Sequence, residues 1–167
     1  MATTKFKGTE VELLGTQVNV GDKAPAITVV NSDGLGDVTV GGASGKKQLI
    51  IVVPSLDTGV FATETRNFNA KASSLTDVTT TVVSLDLPFA AGRFCSAEGI
   101  TNLTVASDFR NKDFANAYGV LLGGSVLAGV TCRALFAVNE EGVVTYKEIV
   151  PEITEEPEYD AALAAVK

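Results

Sequence analysis

The sequence predicts an α/β protein with a central mixed β-sheet flanked by helices and a β-hairpin added at the N-terminus. Three observations carry that prediction. Runs rich in β-branched residues alternate with segments of helical spacing, the pattern of strands and helices taken in turn. "KQLIIVVPS" is an unbroken apolar run, as expected of a strand buried on both faces. "CRALFAVNEEGVVTYKEIV" holds two β-rich runs around Asn139-Glu-Glu-Gly142, a hairpin that makes the sheet mixed.

The elements follow in order. "FKGTEVELLGTQVNV" alternates, with Gly8 and Gly15 as punctuation, and reads as the N-terminal hairpin. A strand is expected at Ala26–Val30, and a short one at "DVTVGG". Pro54 stops the buried strand. In "FATETRNFNAKASSL", Phe61, Thr65, Phe68 and Ala72 share one helical face. "VTTTVVSLD" is a β-branched strand, and "LPFAAGRFCSAEG" reads as a loop running into a short helix. "LTVASD" is a further strand and "KDFANAYGV" a further helix. "EPEYDAALAAVK" closes the chain as a helix, acidic at its start and ended by Lys167, which suits the helix dipole. The order β-hairpin, then β-α-β-α-β-α-β-β-α, matches a thioredoxin-like core carrying an N-terminal extension. One domain is expected over residues 1–167, with 1–20 as the hairpin extension.

Composition narrows the function classes. The net charge of −7 repels phosphate backbones and anionic lipid, so neither nucleic acid nor membrane is an expected partner. No apolar run approaches the ~18 residues of a membrane span. The start "MATTKFKGTEVELLG" has no apolar core of a secretory signal, so a cytoplasmic location is the default expectation. The chain has no histidine, which excludes histidine acid–base chemistry, Ser-His-Asp triads and most zinc sites. Its two cysteines, Cys95 and Cys132, are too few for a structural disulfide framework. No phosphate-cradling glycine loop or metal-ligand cluster is visible, and no cofactor or metal is expected. The charge run "EEPEYD" reads as a solvated helix start.

Four stretches remain: "PSLDTGVFA", "DLPFAAGRFCSAEG", "SDFRNKDFANAYGV" and "EITEEPEYDAALA". Together, in order and spacing over nearly the whole chain, they resemble the bacterial thiol peroxidases, the atypical two-cysteine peroxiredoxins. That family's motif is Pro-x-x-x-Thr-x-x-Cys, ending on the peroxidatic cysteine. Pro54 and Thr58 match it, and position 61 is Phe61. Cys95, after Arg93-Phe94, matches the family's resolving cysteine, and Arg133 its active-site arginine.

The resemblance implies reduction of hydrogen peroxide and alkyl hydroperoxides, thioredoxin as electron donor, no cofactor and a homodimer packed near the active site. The chemistry needs a thiolate to attack the O–O bond, and a free thiol of pKa about 8.5 is mostly protonated at neutral pH. A helix N-terminus and an arginine stabilise the thiolate, a threonine hydroxyl hydrogen-bonds it, and a proline shields it. Phe61 cannot become a sulfenic acid or join a disulfide, so the chain as written is expected to be inactive or severely impaired.

Each residue also has a plainer reading. Pro54 ends a strand, Thr58 is an N-cap, Cys95 is a half-buried helix thiol, and Arg133 is a surface arginine, although its place in an otherwise apolar strand favours a buried or cleft role. Cys132, next to Arg133 in a strand, should face away from it as a core residue, and a Cys95–Cys132 disulfide is not expected. Phe61 is a substituted cysteine, a natural loss leaving a pseudo-enzyme, or a core aromatic of a different fold. The intact flanking motif argues against the last, and the first two stay open. Burying the ring contributes about 1.5–3 kcal/mol, and forcing it into a thiol-sized pocket costs roughly 1–3 kcal/mol. The two terms are comparable, and a first helical turn after Gly59 that is displaced or poorly ordered is the expectation. Two alternatives to a disabled peroxidase stand: a non-catalytic binding or regulatory protein, and a one-cysteine thiol protein using Cys95, its pKa lowered by Arg93.

Overall fold

The computed structural model describes residues 2–58, 65 and 68–167. Its strands are β1 (Thr3–Phe6), β2 (Thr9–Leu14), β3 (Ile27–Asn31), β4 (Asp37–Val40), β5 (Lys47–Val52), β6 (Val78–Ser84), β7 (Thr104–Ser107), β8 (Leu121–Leu122), β9 (Ala134–Val138) and β10 (Val144–Ile149). Residues 68–72 are helical, and three further helices are α1 (Pro88–Glu98), α2 (Asp113–Ala117) and α3 (Tyr159–Ala165).

Seven strands form one sheet in the order β10-β9-β5-β6-β7-β3-β4. β5, β6 and β7 run parallel. β9 is antiparallel to β5, and β3 is antiparallel to β7, so the sheet is mixed. The apolar run of β5 is continuous because both faces are covered. Ile50 and Val52 join one core cluster, while Leu49, Ile51 and Val53 join the other. β9 divides the same way, with Ala134 and Phe136 on one side and Leu135 and Ala137 on the other. The first cluster takes in the N-terminal hairpin, α2 and Tyr118, and the second takes in residues 68–72, α1 and α3. Tyr118 is stacked 4.3 Å from Phe114 and donates its hydroxyl to the Pro25 carbonyl at 2.7 Å.

Most expected elements are present, and some are corrected. The hairpin does not stand alone, because β2 also pairs with β8 to make a separate three-stranded sheet. β8 is only two residues long, too short to show a period. "LPFAAGRFCSAEG" is almost wholly helix, started by Pro88 at its first turn and stopped by Gly99 in the left-handed region. The final helix ends at Ala165 with no basic residue in its last turn, so Lys167 does not complement the dipole. Instead, the Lys167 carbonyl accepts a hydrogen bond from Lys47 Nζ. Thr65, Phe68 and Ala72 are buried together, as their spacing predicts. Phe61 and the helix turn after Gly59 lie outside the described residues.

Candidate active site

The parallel strands β5, β6 and β7 end at one edge of the sheet, where ligands of α/β proteins commonly bind. Residues 54–58 leave β5 at this edge, Asp86 follows β6 and Ser107 ends β7. Because β9 is antiparallel to β5, with Ala134 opposite Val52, the start of β9 arrives at the same edge. This register brings Arg133 to the 54–58 turn, 75 residues away in sequence.

Pro54 is buried at the end of β5. Thr58 is partly buried and donates its hydroxyl to the Ser55 carbonyl at 3.1 Å. Arg133 donates from Nη2 to Thr58 Oγ1 at 3.3 Å and from Nε to the Ile153 carbonyl. Arg133 is only 5% exposed, which overturns its reading as a surface residue. Its Nη1 is buried and has no hydrogen-bond partner among the described residues. A buried guanidinium with unused donors is costly, and such groups gather where charge must be stabilised. Pro54, Thr58 and Arg133 therefore converge, while Phe61 lies outside the described residues. The N-cap reading of Thr58 falls on residues outside the described ones; its hydroxyl donates to Ser55 and accepts from Arg133.

Cys95 lies on α1, half-buried beside an open cavity of about 840 Å³ that Ser32, Asp33 and Ile100 also line. Burial pushes its thiol pKa up, with Ser32 opposing through a hydrogen bond and Asp33 adding to the rise. The expected lowering by Arg93 is not found. Arg93 instead lies 3.9 Å from Asp57 in an exposed ion pair. Cys132 is fully buried, and burial pushes its thiol to about 12. It belongs to the core on one face of the sheet, whereas Cys95 packs against the core on the other. Both thiols are free.

Three contributors escaped the sequence reading. Asp86 accepts from Ser55 Oγ at 2.7 Å, from the Leu56 amide at 2.8 Å and from Ser84 Oγ at 3.0 Å. Ile153 supplies the carbonyl that holds Arg133. Ile153 in turn donates its amide to Lys5 of the N-terminal hairpin at 2.8 Å. Glu152, beside it, accepts from the Gly8, Thr154 and Lys7 amides, which draws its carboxyl down to about 2. The available signal was Asp86 itself, an acid between a strand end and the Pro88 that opens a helix. The Ile153 carbonyl had none, since any residue type carries one.

The geometry offers a held hydroxyl and a buried cation at the turn that follows β5. The redoxin profile matches residues 19–163. The chain is 50% identical to a thiol peroxidase of Aquifex aeolicus, covering 99% of this chain and 96% of that one. The chain belongs to the redoxin family, among the thiol peroxidases. Another thiol peroxidase of this family, from Campylobacter jejuni, is 51% identical over 95% of this chain and 89% of its own length. A solved peroxiredoxin-like protein from Aquifex aeolicus superimposes with a TM-score of 0.95 at 49% identity, over 99% of this chain and 96% of that one. The thioredoxin-like fold of the redoxins, with its added N-terminal hairpin, is thus the fold of this chain. No helix among the described residues is long and apolar enough to cross a membrane. Among those residues, no cluster of three His, Cys, Asp or Glu side chains is gathered to hold a metal.

Proposed function

We propose that this chain is a thiol peroxidase scaffold whose peroxidase chemistry is disabled, or severely reduced, by Phe61. The observation that supports this most directly is the Arg133–Thr58 hydrogen bond at the edge where the parallel strands end. It is a charge-stabilising pair whose Thr58 precedes, by three residues in the sequence, a position that holds no nucleophile.

With a thiol at position 61, the reaction this pair serves is the reduction of hydrogen peroxide and alkyl hydroperoxides. The thiolate sulfur attacks the distal peroxide oxygen, an S–O bond forms, and the O–O bond breaks. The leaving alkoxide or hydroxide takes up a proton and departs as alcohol or water. Arg133 stabilises the thiolate and the developing oxygen charge, and its bond fixes the Thr58 hydroxyl in place. Pro54 shields the site. Cys95 condenses with the sulfenic acid, releasing water and leaving a disulfide, which a thioredoxin dithiol reduces by exchange. The arrangement calls on no cofactor or metal.

We read residues 1–167 as one domain in the cytoplasm, with 1–20 as its hairpin extension. A homodimer is supported by Leu87 and Phe89, exposed by 54% and 72% where α1 begins beside the site. Light scattering on the purified chain reads its mass. The raised, half-buried Cys95 thiol gives the one-cysteine alternative little support.

The deciding experiment is a thioredoxin-coupled peroxide assay. The chain as written should show no peroxide-dependent turnover, and Phe61→Cys should restore it. Robust turnover without that substitution would overturn the reading.

A further inference from the structure

We propose that Asp86 is a positioning residue for the chemistry at position 61, setting Thr58 and Arg133 by clamping the turn that carries Thr58. The proposal rests on the peroxidase reading of that position. Asp86 follows the end of β6 and precedes α1 by two residues, so it sits at the root of the helix that carries Cys95. One carboxylate oxygen accepts from Ser55 Oγ at 2.7 Å, and the other accepts from the Leu56 amide at 2.8 Å. The turn is therefore gripped at two consecutive residues, through one side chain and one backbone group.

The grip passes directly to the site. Ser55, once fixed, presents its carbonyl to the Thr58 hydroxyl at 3.1 Å and its Oγ to the Asp57 amide at 3.1 Å. Thr58 Oγ1 then receives Arg133 Nη2. Asp86 touches neither Thr58 nor Arg133, and acts through Ser55 and Leu56.

Asp86 is itself held from behind. Ser84 Oγ donates to its second carboxylate oxygen at 3.0 Å, and the Ser107 hydroxyl donates to its backbone carbonyl. Ser84 and Ser107 are both 1% exposed, at the ends of adjacent parallel strands. The carboxylate is thus anchored to the buried ends of two paired parallel strands and reaches outward to the turn. A charged acceptor shared by three donors forms stronger bonds than neutral pairs do, and it fixes direction. A merely structural acid at this place would need no line of bonds ending on the Arg133 guanidinium.

The test starts from Phe61→Cys and adds Asp86→Ala, Asp86→Asn or Ser55→Ala. Iodoacetamide alkylation across pH reads the ionisation of the introduced thiol, and peroxide turnover is measured alongside. Asp86→Ala should raise the thiol's apparent pKa by about one unit, a tenfold loss of thiolate below both values. It should also lower kcat/KM up to about 100-fold, as misplacement of catalytic groups does. Asp86→Asn, which keeps one acceptor oxygen, should fall between, and Ser55→Ala should shift ionisation the same way by less. Should Asp86→Ala fail to fold, the other two variants decide. Folded variants with lowered unfolding midpoints but unchanged thiol ionisation would make Asp86 purely structural and end the proposal. If Phe61→Cys ionises at low pH, responds to Asp86 substitution, yet never turns over peroxide, the peroxidase reading fails while the positioning role stands.

Discussion

Replacing Arg133 with methionine separates what the guanidinium does for the fold from what it does for chemistry. Arg133→Met leaves a straight chain of similar length in a site only 5% exposed, so no large cavity opens. Two changes then oppose each other. The Ile153 carbonyl loses its Arg133 donor, and a stranded buried acceptor costs about 1–3 kcal/mol. The Nη1 that has no partner among the described residues disappears, which removes a desolvation penalty of the same size, about 1–3 kcal/mol. The Thr58 hydroxyl keeps its bond to the Ser55 carbonyl, so nothing further is stranded there. The expected net change is within about 2 kcal/mol of zero, since isosteric apolar replacement of a buried ion is often neutral or stabilising. By contrast, truncating a core phenylalanine costs about 3–5 kcal/mol. Equilibrium urea unfolding at constant slope measures the difference. In the Phe61→Cys background, the same substitution should raise the thiol's pKa and depress turnover. A destabilisation above about 4 kcal/mol, of core-truncation size, would refute this reasoning and make Arg133 a structural residue.

Two further outcomes follow from the site's surroundings. Glu152, bound to the Gly8, Thr154 and Lys7 amides, has a folded pKa depressed to about 2, against about 4.3 unfolded. A depressed carboxylate contributes stability that is complete above the unfolded pKa and lost as pH falls through the folded one. Glu152→Gln should therefore lower the urea midpoint slightly at pH 6, and the difference from the parent should close between about pH 4.5 and 2. The Glu152 carboxyl is fully exposed, so the effect should be small and salt-sensitive. The two thiols should also differ: native alkylation followed by mass spectrometry should label Cys95 slowly and Cys132 only after denaturation. Burial holds Cys132 near 12 and raises Cys95 by less. Equal labelling of both in the native state would contradict this.

What the sequence makes legible here follows from periodicity and residue type. β5 and β9 are readable because burial on both faces demands unbroken apolar runs, and "KQLIIVV" and "ALFAV" are such runs. Thr65, Phe68 and Ala72 are readable as one face because helical spacing puts them there. Pro54, Thr58 and Arg133 are readable as a group only through the family motif, because 75 residues separate Thr58 from Arg133 and no local pattern joins them. α1 was underestimated because Gly92 and Ser96 weaken helix propensity, while packing of Ala91 and Phe94 overrides it. β8 and the Ile153 carbonyl were invisible because a two-residue strand has no period and a backbone acceptor has no residue signature.

The bonds at the site explain how its geometry is held without reference to any sulfur. Thr58 is held by the Ser55 carbonyl and Arg133 by the Ile153 carbonyl. Ser55 is held by Asp86, and Ile153 by the Lys5 carbonyl of the hairpin. All of these partners belong to the backbone or to residues other than position 61. A thiolate gains from this arrangement but is not needed to build it. A charge-stabilising pair held in this way is preorganised, with the reorganisation cost met by folding before any substrate arrives. The N-terminal hairpin thereby takes part in holding the site, since its Lys5 carbonyl secures the segment whose Ile153 carbonyl binds Arg133. Under the proposed reading a single side chain separates the scaffold from its chemistry, which is why one substitution at position 61 tests that reading.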